Sequence, residues 1–164
     1  MSFLQQTGEL KFAAALGAAL AISACAKAPA EGSAALAGGR AAPGSPQDFA
    51  VTAGDRVFFD TDSSELSQTA QATLAKQATW LQQYGRYTLT EEGHADERGT
   101  REYNFALGAR RAETAKDYLV ARGIPASRIR TISYGKERPV ATCNDISCWS
   151  QNRRAVTVLM GGQS

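Results

Sequence analysis

Histidine is nearly absent from this chain of 164 residues: His94 is its single copy, and there are only three cysteines. A zinc site built from several ligands at the usual spacings is thereby excluded, and no cofactor is expected. Charge of one sign is also missing. Sixteen acidic residues face 18 basic ones, for a formal charge of +2 at pH 7. Without a strong field of either sign, nucleic acid is not an expected partner. No apolar run is long enough to cross a bilayer as a helix. The longest, Phe12 to Ser23, would span only ~18 Å of a ~30 Å hydrocarbon core.

That short stretch follows Lys11 and leads through small residues to Cys25, which reads as a cleaved secretory signal rather than an anchor. Ile22-Ser23-Ala24-Cys25 resembles a bacterial lipobox, in which an apolar residue and two small ones precede the cysteine to be lipidated. The resemblance implies a lipoprotein signal peptide over 1–24 and acyl chains on Cys25, more than the single chain that gives only marginal membrane binding. Ala26 is not the aspartate that commonly retains lipoproteins in the inner membrane, so the periplasmic face of the outer membrane is the expected location. Residues 25–53 carry the lipidated Cys25 and then mostly Ala, Gly, Pro and Ser, and read as a flexible linker. Some 28 such residues reach ~30 Å on average.

The folded domain is expected over 54–162. Val57-Phe58-Phe59 is a short strand closed by the Asp60-Thr61-Asp62 turn. Ser67 is positioned to cap a helix through Tyr84, with Ala70, Leu74, Ala78 and Leu81 along one face. A second strand runs from Tyr87 to Glu92, a second helix from Glu102 to Ala121, and further strands from Ile129 to Tyr134 and from Arg154 to Met160. The order β-α-β-α-β-β predicts an α+β two-layer sandwich, with two main helices on one face of a four-stranded mixed sheet. Gly93 and Gly99 read as turn glycines, whose bare backbone also lets a ligand approach closely.

The second helix holds an anomaly. Wound at 100° per residue, it lines up Leu107, Ala115 and Tyr118 toward the sheet, with Leu119 at the edge. Arg111 falls inside the same stripe. A guanidinium stays charged, and left unpaired there it would cost several kcal/mol, so a partner is required. Asp96, in the turn before the helix, is the expected one. On spacing alone the pair has two uses. It is either a bridge that pins the turn to the helix, or a receptor for a zwitterion, with Asp96 for an ammonium and Arg111 for a carboxylate.

Several separate stretches resemble the OmpA-like peptidoglycan-binding domain family. They are Val57-Phe58-Phe59-Asp60-Thr61-Asp62, Gly93-His94-Ala95-Asp96-Glu97-Arg98-Gly99-Thr100, Glu102-Tyr103-Asn104, Leu107-Gly108, Arg110-Arg111-Ala112, Ser133-Tyr134-Gly135-Lys136-Glu137-Arg138-Pro139 and Gln151-Asn152-Arg153-Arg154-Ala155-Val156. The resemblance runs in order from about Val57 to Val158. It implies non-covalent binding of peptidoglycan, with Asp96 and Arg111 holding the ammonium and carboxylate of meso-diaminopimelate in the stem peptide. It also implies that Asn104, Leu107 and Arg154 line the same pocket, that Phe59, Asp60 and Thr61 border it, and that the backbone of Gly99 and Thr100 contacts the peptide. The implied role is a tether between outer membrane and cell wall, serving envelope integrity and cell division. The implied partners are TolB and other components of the Tol-Pal system.

Two departures from the family pattern stand out. Glu91 occupies an inward strand position that the family usually gives to an apolar residue, which predicts a bulge there or a more open face. Cys143 and Cys148 lie in the loop before the last strand, where export to an oxidising compartment favours a disulfide over a free, reactive pair. The alternative function is a periplasmic peptidoglycan hydrolase using His94 and Asp96 as acid and base. No paired carboxylates or metal ligands accompany them, so a binding protein rather than an enzyme is expected.

Overall fold

The computed structural model describes residues 41–161. The expected signal peptide, Cys25 and the linker as far as residue 40 lie outside the described residues. Helix α1 (Pro46–Thr52) comes first, then strand β1 (Arg56–Phe58), helix α2 (Gln68–Gln83), strand β2 (Thr88–His94), helix α3 (Arg101–Ala121), a 3-10 turn (Ala126–Arg128), strand β3 (Ile129–Gly135), helix α4 (Ile146–Asn152) and strand β4 (Arg154–Met160).

The sheet order is β1-β4-β2-β3. The last strand inserts between β1 and β2 and runs antiparallel to both, while β2 and β3 are parallel, an arrangement that needs a crossover, which α3 supplies. This is the expected α+β two-layer sandwich with a mixed sheet. Ser67 caps α2 by accepting from the Ala70 amide, and Leu74, Ala78 and Leu81 are buried against the sheet. On α3, Leu107, Arg111, Ala112, Ala115 and Leu119 form the buried stripe, with Tyr118 only partly buried. No helix among the described residues is long and apolar enough to cross a membrane.

Two helices were not expected. α1 lies within 25–53, so the folded part begins before residue 54. Its Phe49 is buried, with its ring 5.0 Å from that of Trp80, and Asp48 accepts a hydrogen bond from the Trp80 indole. One large apolar side chain suffices because α2 supplies the rest of that contact. The signal in the sequence was Ser45-Pro46-Gln47-Asp48: Ser45 caps the helix, Pro46 opens it, and Asp48 stands in the first turn. α4 begins inside the Cys143–Cys148 loop and runs on to Asn152; the loop is closed by a disulfide with the two Cα atoms 5.6 Å apart.

Glu91 needs neither a bulge nor an open face. It pairs regularly with Thr157 of β4 and Thr131 of β3, and the register shift falls between Gly93 and His94. Its side chain is wholly buried, with Oε1 2.9 Å from the Thr157 hydroxyl, which is 2.8 Å from Gln77 Oε1; Gln77 in turn donates to the Gly54 carbonyl at 2.7 Å. A single hydroxyl proton cannot serve two acceptors. The chain closes when Glu91 is protonated and donates to Thr157, which then donates to Gln77.

Candidate functional site

Three segments meet at the C-terminal ends of β1 and β2: the loop after β1, the turn from β2 into α3, and the first half of α3. They frame a cleft of about 280 Å³ lined by Thr61, Asp62, Asp96, Arg98, Gly99, Tyr103, Asn104, Leu107 and Arg111. Gly99, at φ +88, and the side chain of Asn104, donating to the Arg98 carbonyl at 2.7 Å, set the path of the turn. Lys136 adds hydrogen bonds to the carbonyls of Glu97 and Gly99. A larger depression of about 520 Å³ between α3 and β3 holds none of the cleft's residues and has mostly apolar walls, among them Phe105 and Tyr134.

Arg111 and Asp96 share the cleft but do not pair with each other, which corrects the expected bridge. The Arg111 guanidinium donates to three backbone carbonyls, those of Ser63 (2.8 Å), His94 (2.8 Å) and Asp60 (3.1 Å). It also lies 5.2 Å from the centre of the Phe59 ring. Carbonyl dipoles therefore do the work a carboxylate was expected to do. Burial, then the nearby Arg153 charge, pull the Arg111 pKa down to about 10, against the attraction of Asp96 and Asp62; it remains charged at neutral pH.

Asp96 has two arginine partners of its own. Arg98 donates to Oδ1 from its backbone N–H (3.2 Å) and Nε (3.0 Å), and to Oδ2 from Nη2 (2.7 Å); Arg153 reaches Oδ2 at 3.4 Å. Burial pushes the Asp96 carboxyl up, but the hydrogen bonds and charge of Arg98, helped by Arg153, outweigh it and hold the group below its ordinary range.

Of the other expected residues, Thr61, Gly99, Asn104 and Leu107 line the cleft. Phe59 and Asp60 border an adjoining depression with Arg153. The Thr100 side chain caps α3 by accepting from the Tyr103 amide. Arg154 is not at the cleft. It donates to the carbonyls of Asn152 and Arg138 on the sheet face opposite the helices, because strand alternation places Arg153, not Arg154, with Ala155 and Thr157 toward the helices. Arg153, Arg98, Asp62 and Tyr103 were not foreseen. For Arg153 that alternation was the available signal; for Arg98 it was the spacing of two from Asp96.

His94 turns away from the cleft and stacks on Tyr134, its ring nitrogens without hydrogen-bond partners among the described residues. Burial, with repulsion from Arg154 and Arg138, lowers its pKa to about 4. Burial raises that of Glu91 to about 7, against the Thr157 hydrogen bond. The two act on stability with opposite sign. Between about pH 4 and 6.5 the unfolded chain holds the His94 proton more readily, so stability rises with pH. Between about pH 4.5 and 7 the folded chain holds the Glu91 proton more readily, so stability falls. The wild-type profile is therefore expected to be nearly flat from these two groups between about pH 4.5 and 6.5. Glu91→Gln, which mimics the protonated carboxyl, should unmask a rising slope. Urea titrations of both proteins across that range check this, and parallel profiles would refute it.

The family model for the OmpA family matches residues 58–153, which take in the whole cleft. A peptidoglycan-associated lipoprotein of Mesorhizobium japonicum is 63% identical over 154 residues, covering 92% of each chain. One of Brucella melitensis is 56% identical over 165 residues, covering 98% of each. The crystal structure of the peptidoglycan-associated lipoprotein from Burkholderia pseudomallei superposes with a TM-score of 0.63 at 40% identity, over 65% of this chain and 90% of that one. Sequence similarity spanning the framing loops and helices α2, α3 and α4, and a shared fold, point the same way: the chain belongs to the OmpA family.

Proposed function

We propose that this protein binds peptidoglycan non-covalently, taking the side-chain head group of meso-diaminopimelate between Asp96 and Arg111. The reading rests on one observation: a carboxylate and a guanidinium wall one cleft without being each other's partner. Neither charge is bonded to the other: Asp96 is held by Arg98 and Arg153 and Arg111 by three carbonyls, so a zwitterion would bind by exchanging those partners. The relatives' name, peptidoglycan-associated lipoprotein, supports peptidoglycan as the polymer bound. Binding rather than hydrolysis is supported by His94, the residue a hydrolase would pair with Asp96: it is 2% exposed and does not line the cleft.

In the cell this domain would hang by acyl chains on Cys25 from the periplasmic face of the outer membrane and hold the wall beneath it. Many modest sites on one polymer give avidity, so single-site affinity need not be high. TolB and other Tol-Pal components are the proposed protein partners, in envelope integrity and cell division.

The test is a pulldown with purified sacculi. Asp96→Asn removes the charge and keeps the shape, and is expected to weaken binding at least tenfold, about 1.4 kcal/mol. Free meso-diaminopimelate should release the wild-type protein and lysine, which lacks the second carboxylate, should not. Equal release by both amino acids, or full binding by Asp96→Asn, would overturn the proposal.

A further inference from the structure

The cleft is lined by charges of the protein that already hold one another. Asp96 spends both oxygens on Arg98 and Arg153, and these two arginines differ in character. The Arg153 side chain is 7% exposed and fixed by a second bond from Nε to the Phe59 carbonyl at 3.0 Å. The Arg98 side chain is 40% exposed and sits in the turn between β2 and α3. Its guanidinium presents one edge to Asp96 and lies over the indole of Trp149, 4.1 Å from the ring. Trp149 belongs to α4, directly after disulfide-bonded Cys148, and its indole N–H donates to Glu97, the residue between Asp96 and Arg98. On the other side of the cleft, the Tyr103 hydroxyl donates to Asp62, whose charge acts on Arg111.

We propose that Arg98 is a gate: its guanidinium holds the place on Asp96 that the ligand's ammonium must take, and Trp149 keeps it there. This rests on the zwitterion reading of the cleft. A cation arriving at Asp96 meets a carboxylate already bonded to two guanidiniums, and only Arg98 is free enough to leave. Measured affinity is then the intrinsic affinity multiplied by the fraction of time the gate stands open. The gate selects as well. A neutral group gains too little at Asp96 to displace a bidentate guanidinium, whereas an ammonium replaces one charge-assisted bond by another. Trp149 adds attraction of the cation–π kind, strengthening the closed state without touching the ligand position.

Calorimetry with a soluble muropeptide containing meso-diaminopimelate tests the gate. A gate open about one-tenth of the time predicts binding about tenfold tighter for Arg98→Gln, and a smaller gain, about threefold, for Trp149→Ala. Ligand should also change Trp149 fluorescence in the wild type, as Arg98 leaves its ring, and not in Arg98→Gln. Arg98 is partly exposed, so Arg98→Gln should melt with the wild type. Weaker or unchanged binding by a folded Arg98→Gln rejects the gate. Asp96→Asn, run alongside, separates the two ideas: if it binds as wild type, the cleft assignment itself falls. If it alone loses binding while Arg98→Gln gains none, only the gate does.

Discussion

Arg111→Ala is expected to lose about 3–5 kcal/mol of folding stability, the range for breaking a buried charged network. For a domain of this size that lowers the melting temperature by roughly 10–20 °C. Arg111 is 0% exposed, and its three carbonyl acceptors come from two separate segments: Asp60 and Ser63 in the loop after β1, His94 at the end of strand β2. The substitution removes a donor from all three carbonyls, leaving that of Asp60 only the Ser63 amide at 3.3 Å, and opens a hole where the guanidinium lay. Each buried acceptor left unmet costs about 1–3 kcal/mol, and water entering the polar hole recovers part of the loss. Arg111→Lys should recover less than half, because one ammonium cannot reach three carbonyls arranged around a planar fork. Thermal unfolding of both variants decides the matter, with amide exchange of residues 60–63 expected to accelerate. An Arg111→Ala protein melting within a few degrees of wild type would show that the guanidinium does not hold the loops. The same argument makes Arg111→Ala a poor probe of ligand binding, since the cleft would loosen with its frame. Asp96→Asn is the cleaner test.

That Arg111 mattered was legible from helical periodicity alone, because a charge among Leu107, Ala115 and Leu119 demands a partner. Who the partner would be was not. Sequence reasoning looks for a carboxylate because side chains are what a sequence displays. Backbone carbonyls are present at every residue, and only the path of the chain aims three of them at one point. The ends of α2 and β4 were readable from Ser67 and from the Arg154–Met160 run, and the mixed sheet from the order of elements. α1 escaped because Ala, Gly, Pro and Ser dominate its surroundings and its single anchor, Phe49, finds Trp80 from another helix. Arg153 was passed over for its neighbour because choosing between them required knowing which face β4 turns toward the helices. Glu91 drew notice as a misfit, but its solution runs through Thr157 and Gln77, 66 and 80 residues apart in the paired hydrogen bonds, and no local pattern carries such distances.

Gly93→Ala is expected to be the most damaging single-methyl change in the domain. Gly93 stands in β2 with an ordinary strand φ, so conformational freedom is not what the position requires. The requirement is contact. A Cβ there would lie 1.8 Å from the Gly108 carbonyl oxygen and 2.6 Å from its carbon, both in the backbone of α3, and 3.2 Å from the Ala112 methyl. Strand and helix touch backbone to backbone, and this brings Arg111, one turn along α3, within reach of the His94 carbonyl beside Gly93. An added methyl cannot be absorbed by a rotamer change. α3 must lift from the sheet, withdrawing Arg111 from its three acceptors and opening the cleft wall. Overpacking a core against side chains costs about 1–3 kcal/mol; against backbone, with the Arg111 network broken as well, about 4 kcal/mol or more is expected. Gly108→Ala supplies the comparison. Its Cβ would meet the Ser133 hydroxyl at 2.4 Å, a side chain that can turn aside at the cost of its hydrogen bond to the Phe105 carbonyl, although the Gly93 carbonyl oxygen stands at 2.9 Å. Gly108→Ala should therefore lower the melting temperature clearly less than Gly93→Ala, and the Gly93 variant should also lose binding to sacculi in whatever fraction folds. If the two variants melt together, the helix can ride outward on the sheet without penalty, and the close contact would not be what seats Arg111.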